Sequence, residues 1–144
     1  MTTLNPYLNF RGQAKEAIEF YRSVFGGELG LSTFADFGMP VEPGEEHLVM
    51  HAQLVAPDGF VLMASDTPAH MDLTPGDNIS VSLSGGPEES ERLHGWFDAL
   101  AAGGSIDEPL VPAPWGDSFG MLTDRFGIRW LVNIGGTPQS PTES

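Results

Sequence analysis

Two stretches decide the fold: Ile18-Glu19-Phe20-Tyr21-Arg22-Ser23-Val24-Phe25-Gly26-Gly27 and Gly95-Trp96-Phe97-Asp98-Ala99-Leu100-Ala101-Ala102-Gly103-Gly104. Each is the second half of an amphipathic segment that stops at a pair of glycines. In the first, Ala14, Ala17, Ile18, Tyr21 and Phe25 recur at helical spacing while Lys15, Glu16, Glu19 and Arg22 fall on other faces, which predicts a helix over 13–25 that covers a sheet. In the second, Leu93, Trp96, Phe97, Leu100 and Ala101 form the stripe of a helix over 87–102, opened by Pro87-Glu88-Glu89 where proline and acids suit a helix N-terminus. The Gly-Gly pairs supply the backbone freedom that a helix C-terminus commonly needs.

Working outward, each helix is preceded by a short strand pattern, Pro6-Tyr7-Leu8-Asn9-Phe10 and Ile79-Ser80-Val81-Ser82-Leu83. Each is followed by three further strand patterns. In the first copy these are 31–37, 47–55 and 60–65, the last two joined by the turn Ala56-Pro57-Asp58-Gly59; in the second they are 105–111, 119–123 and 128–134. Within 47–55, alternation sets His47, Val49, His51 and Gln53 on one face and Leu48, Met50, Ala52 and Leu54 on the other. The reading is an α+β chain made of one βαβββ unit stated twice: a module over 5–66, a linker over 67–77 with Pro68, Pro75 and Gly76, a module over 78–134, and a frayed tail over 135–144.

The 144 residues fit one compact domain and include no cysteine, so neither disulfides nor thiolate metal sites are available. Met1-Thr2-Thr3-Leu4-Asn5-Pro6 lacks the pattern of a secretory signal, and no segment approaches the about 18 apolar residues of a membrane span. A soluble, cytoplasmic protein is the expectation. The formal net charge of −14 argues against nucleic acid or an anionic membrane as partner, both of which call for basic surface, and is compatible with a cationic ligand.

Several stretches together resemble one family. Pro6-Tyr7-Leu8-Asn9-Phe10, Ala17-Ile18-Glu19-Phe20-Tyr21, Val24-Phe25-Gly26-Gly27-Glu28, Met50-His51-Ala52, Leu62-Met63-Ala64-Ser65-Asp66, Trp115-Gly116-Asp117-Ser118-Phe119-Gly120-Met121 and Thr123-Asp124-Arg125-Phe126-Gly127 are similar in order to the PhnB-like branch of the vicinal oxygen chelate superfamily. That superfamily takes in glyoxalase I, extradiol dioxygenases and bleomycin-resistance proteins. The resemblance implies paired βαβββ modules whose curved sheets form a cleft for a small molecule, in a homodimer. The methyltransferase label often attached to the branch finds no support: Ser84-Gly85-Gly86-Pro87 is the nearest approach to a nucleotide-binding glycine turn, lacks its spacing, and reads as a helix lead-in.

In metal-dependent members four ligands come from equivalent strands. The resemblance places those seats near Asn5, His51, Asn78 and Leu131. Only His51 is a usual strong ligand; the amides offer weak carbonyl oxygens and leucine none, and a register slip to Arg129 or Asn133 restores no carboxylate. No cofactor is therefore expected. His51 is instead the candidate catalytic or ligand-orienting group, with Gln53 beside it on the strand and Trp115 and Phe119 as aromatic ligand contacts. Phe34, Phe37, Met63 and Met121 are further lining candidates, with core packing the better default for each; His47, His70 and His94 read as surface histidines. Three functions stay open: a small-molecule-binding protein or enzyme of unassigned reaction, a resistance-type protein that sequesters a cationic or aromatic natural product, and a metal-dependent lyase or dioxygenase.

Overall fold

The computed structural model describes residues 2–136 and divides into two compact units, Met1–Pro75 and Gly76–Ser144. The first unit contains β1 (Tyr7–Phe10), α1 (Ala14–Phe25), β2 (Glu28–Thr33), β3 (Val49–Val55) and β4 (Val61–Asp66). Its sheet has the order β1-β4-β3-β2, with β1 parallel to β4 and the other pairs antiparallel. The second unit repeats the plan with β5 (Val81–Gly85), α2 (Ser90–Ala101), β6 (Ser105–Pro112), β7 (Ser118–Thr123) and β8 (Arg129–Ile134), in the order β5-β8-β7-β6. The doubled βαβββ unit read from the helix ends is the architecture observed.

One side of each sheet carries the core. In the first unit Leu8, Phe10, Ala52, Leu54, Leu62 and Ala64 are buried together with Ala14, Ala17, Ile18, Tyr21 and Phe25 of α1, the stripe the spacing predicts. In the second, Leu83, Leu122, Trp130, Val132 and Ile134 are buried with Leu93, Phe97 and Leu100 of α2. Fully burying a large apolar side chain stabilises by about 1.5–3 kcal/mol, so these stripes carry much of what holds each helix to its sheet.

The glycine pairs have a more specific cause than helix termination. Gly26 lies at φ 75°, ψ −168°, a region essentially reserved for glycine. Gly27 and Gly104 run so close to the neighbouring strand that a Cβ on either would strike a backbone carbonyl, that of Val55 for Gly27 and that of Thr123 for Gly104. Both pairs bring the chain out of its helix hard against the end of the third strand of the module.

Two buried carboxylates tie the units internally. Asp66 accepts from the backbone N–H of Ala14 at 2.9 Å and of Val49 at 2.9 Å, pinning the first turn of α1 and the start of β3 to the end of β4. Asp124 accepts from the N–H groups of Phe126 at 2.8 Å and Ile128 at 3.0 Å and from the Trp130 indole at 2.9 Å, closing the β7–β8 turn. Arg11 donates to the carbonyls of Thr67, Pro68 and Met71 and so holds the segment that leaves the first sheet.

The structure differs from the sequence reading in several places. The strand expected from Ile79 begins only at Val81, with Ile79 80% exposed, and of the stripe expected on the second helix Trp96 and Ala101 are half-buried, not buried. The strand expected over 31–37 runs instead over Glu28–Thr33 and turns at Ala35–Phe37, because Thr33 and Asp36 bond reciprocally: Thr33 N–H donates to Asp36 Oδ2 at 2.8 Å and Asp36 N–H to Thr33 Oγ1 at 3.2 Å. The second helix opens as a tighter turn over Pro87–Glu89 before α2 begins. Val49 faces the core, 1% exposed, rather than sharing a face with His51: the register slips between Ser32 and Thr33, leaving Met50 as the extra residue of a bulge that reverses the alternation. His47 precedes β3 and is exposed. As for the expected frayed tail, Gly135 N–H donates to Gly85 O at 2.7 Å and Gly136 N–H to Asp117 Oδ1 at 3.1 Å; 137–144 lie outside the described residues.

Candidate functional site

The side of each sheet away from its helix carries most of the residues that the sequence singled out. In the first unit strand parity and register place Tyr7 and Asn9 of β1, Met63 and Ser65 of β4, and His51 and Gln53 of β3 on that side. Tyr7 pairs with Met63 and Met63 with Gln53, forming one row across three strands; Asn9 and Ser65 pair in the next. The Tyr7 hydroxyl lies 3.3 Å from His51 Nδ1, with the two rings tilted at 41° and their centroids 5.8 Å apart. Neighbouring strands are about 4.8 Å apart, so this pair spans the width of β4. Ser65 Oγ reaches Asn9 Oδ1 at 3.5 Å. His51 is half-buried and Gln53 exposed. The face is polar and carries no lysine or arginine at these positions.

In the second unit the corresponding side carries Ser82 and Ser84 of β5, Leu131 and Asn133 of β8, and Phe119 and Met121 of β7. Trp115, 60% exposed on the Pro-rich loop before β7, meets Phe119 edge-on with centroids 6.0 Å apart. The loop is held in place from below: Asn133 Nδ2 donates to Asp117 Oδ2 at 3.1 Å, and the loop closes on itself through Ala113 N–H to Asp117 O at 2.7 Å. Trp115 and Phe119 therefore form an aromatic pair carried by an anchored loop.

The four metal seats do not make a chelating set. Asn5 precedes β1 and donates to Thr3 Oγ1 at 3.0 Å, Asn78 is exposed ahead of β5, and Leu131 has no lone pair to offer. Among the described residues no group of three or more His, Cys, Asp or Glu side chains is placed to hold a metal ion. The donors present do not fit a divalent catalytic metal, which calls for about three good protein ligands. Of the other histidines, His94 is exposed on α2, where its Nδ1 lies 2.9 Å from Ser90 O, and His70 is exposed beyond β4. Phe37 is 57% exposed on the turn after β2. Gly85 has a packing reason to be glycine, since a Cβ there would press on Glu89 and Leu93.

Tyr7, Asn9, Ser65 and Asp117 were not singled out as site residues by sequence reasoning, and Asn133 was weighed only as a slipped metal seat. The signal for the first two was present: Leu8 and Phe10 are apolar, and parity turns Tyr7 and Asn9 to the opposite side.

A family model for the Glyoxalase/Bleomycin resistance protein/Dioxygenase superfamily matches residues 3–132. The chain belongs to this superfamily. Protein YjdN of Escherichia coli (strain K12) is 30% identical over 149 residues, which cover 97% of this chain and 99% of the relative. A Pseudomonas aeruginosa protein of known structure is 41% identical with a TM-score of 0.74, the match covering 94% of this chain and 98% of that one. A Bacillus cereus PhnB protein, described as a candidate 3-demethylubiquinone-9 3-methyltransferase, is 28% identical with a TM-score of 0.72 over 93% of this chain and 100% of its own. Within the superfamily the chain lies in the PhnB-like branch. No helix among the described residues is long and apolar enough to cross a membrane.

Proposed function

We propose that this superfamily member binds a small organic molecule on the open face of its first sheet, oriented by His51 and without a resident divalent metal. The observation that carries the reading is the His51 ring, half-buried on a face whose other polar groups are a phenol, two amides and a hydroxyl. Such a set recognises by hydrogen bonding and excludes little by charge, and with no cation at these positions it favours neutral or cationic ligands over anions. Gln53 adds a second adjustable donor and acceptor beside His51. The Trp115–Phe119 pair is the aromatic counterpart in the second unit, suited to stack on an unsaturated ring.

A ligand found by thermal-shift screening of aromatic amines and neutral aromatic carbonyl compounds provides the test. His51→Ala lowers its affinity at least tenfold while chelator leaves both affinity and melting temperature unchanged. Stoichiometric zinc, nickel or iron bound through His51 after purification overturns the reading in favour of a metal-dependent lyase or dioxygenase.

Sequestration without chemistry is the second reading. The net charge of −14 favours it by drawing cationic compounds. Turnover of the bound compound separates it from an enzyme. A homodimer remains part of the proposal on the strength of family membership, and a monomer in sedimentation across micromolar concentrations removes it.

A further inference from the structure

The hydrogen bond between Tyr7 and His51 has a direction, and the direction determines what His51 shows to a ligand. A neutral imidazole carries one N–H and one bare nitrogen, and which is which depends on the partner of the nitrogen that is engaged. When Nδ1 faces a carboxylate or a backbone carbonyl, which only accept, the proton sits on Nδ1 and Nε2 is left as a base. Here the partner is a phenol, at 3.3 Å. A phenol donates better than it accepts, because its oxygen lone pair is delocalised into the ring, whereas the bare nitrogen of imidazole is a strong neutral acceptor.

We propose that Tyr7 is a specificity-determining residue that donates its O–H to His51 Nδ1 and so fixes the proton on Nε2, making His51 a hydrogen-bond donor toward a ligand that presents an acceptor oxygen such as a carbonyl. The inference rests on the reading of this face as the binding surface. It also narrows that reading, because a histidine protonated at Nε2 orients or polarises an oxygen at that nitrogen and does not take a proton there. A base would be left only at Nδ1, which the phenol occupies.

The molecule contains its own control. His94 Nδ1 lies 2.9 Å from the carbonyl oxygen of Ser90, which cannot donate, and 3.5 Å from the Ser90 hydroxyl, so the shorter contact favours a proton on Nδ1 of neutral His94. The two histidines are therefore expected to be of opposite tautomer.

Long-range 1H–15N spectra of uniformly 15N-labelled protein at about pH 8.5, where imidazoles are neutral, read this without any ligand. Resonances are assigned by their loss in His51→Gln and His94→Gln. His51 shows a pyrrole-type Nε2 and a pyridine-type Nδ1, His94 the reverse, and Tyr7→Phe moves the two His51 nitrogens toward an averaged position. A proton on Nδ1 of His51 in the unsubstituted protein, or His51 shifts indifferent to Tyr7→Phe, overturns the inference. Because Tyr7 is 43% exposed, loss of one hydroxyl leaves the fold in place, and the first of those outcomes is read in the unsubstituted protein and does not depend on Tyr7→Phe. The expected tautomer together with ligand affinity unaffected by His51→Ala instead locates the failure in the binding reading.

Discussion

The two units meet the same backbone requirement and put different chemistry on it. Gly27 lies against the carbonyl of Val55 and Gly104 against that of Thr123, each leaving its helix into the next strand. Four residues before each of those carbonyls stands His51 in the first unit and Phe119 in the second. One unit thus offers an imidazole bonded to a phenol, the other a phenyl ring stacked edge-on by an indole. Close passage of glycine past a strand tolerates no side chain in either unit, whereas the open face has space and admits divergence.

The largest effects follow where the two units agree. Gly27→Ala and Gly104→Ala each force a methyl into a strand carbonyl, a backbone atom that cannot step aside without breaking the ladder. Each is expected to cost more than about 3 kcal/mol, at the upper end for a single substitution. Gly27→Ala is the worse of the two, because Gly27 also sits at φ 102° while Gly104 has no positive φ. Urea melts measure both, and a loss below about 1 kcal/mol in either variant would break the equivalence of the two helix exits.

A smaller effect separates the units. Asp66 and Asp124 are 4% and 3% exposed, but the first accepts from two backbone donors and the second from at least three donors, one of them the buried Trp130 indole. An orphaned buried donor costs about 1–3 kcal/mol, reduced where water can reach the gap. Asp124→Ala is therefore expected to destabilise more than Asp66→Ala, roughly 3 against 2 kcal/mol by the same reasoning. Equal losses in chemical denaturation would show that the Trp130 contact carries no weight.

Much of this arrangement was legible in the chain. The helices announced themselves because their buried stripes recur at helical spacing and glycines follow them, and the turn at Ala56-Pro57-Asp58-Gly59 marked the hairpin between β3 and β4. Parity put His51 on the correct side, yet it put Val49 there too: a bulge at Met50 depends on pairing with β2, which periodicity along one strand does not contain. The 31–37 strand failed for a related reason, since the Thr33–Asp36 exchange competes locally with the ladder. Of the proposed site, His51, Gln53, Trp115 and Phe119 were candidates from sequence. The Tyr7 partner was not, since it comes from β1, two strands away from β3, and only the sheet order β1-β4-β3 brings it within reach.

The smallest expected effect tests the same comparison from the side of the open faces. His51 is half-buried and its recorded polar contact is a 3.3 Å bond to a phenol that is itself 43% exposed. When His51→Ala removes the ring, the Tyr7 hydroxyl turns to water, so neither a buried donor nor a closed cavity is left behind, and the loss of stability stays within about 0.5 kcal/mol. Phe119→Ala removes a larger apolar ring from a half-buried position against Trp115, and is expected to cost about 1–2 kcal/mol from lost apolar burial. The pair of melts thus ranks the two positions four residues before the struck carbonyls. If His51→Ala proves as destabilising as Phe119→Ala, then His51 supports the sheet rather than standing free to meet a ligand. A near-neutral His51→Ala, by contrast, is the outcome that the proposed recognition role expects.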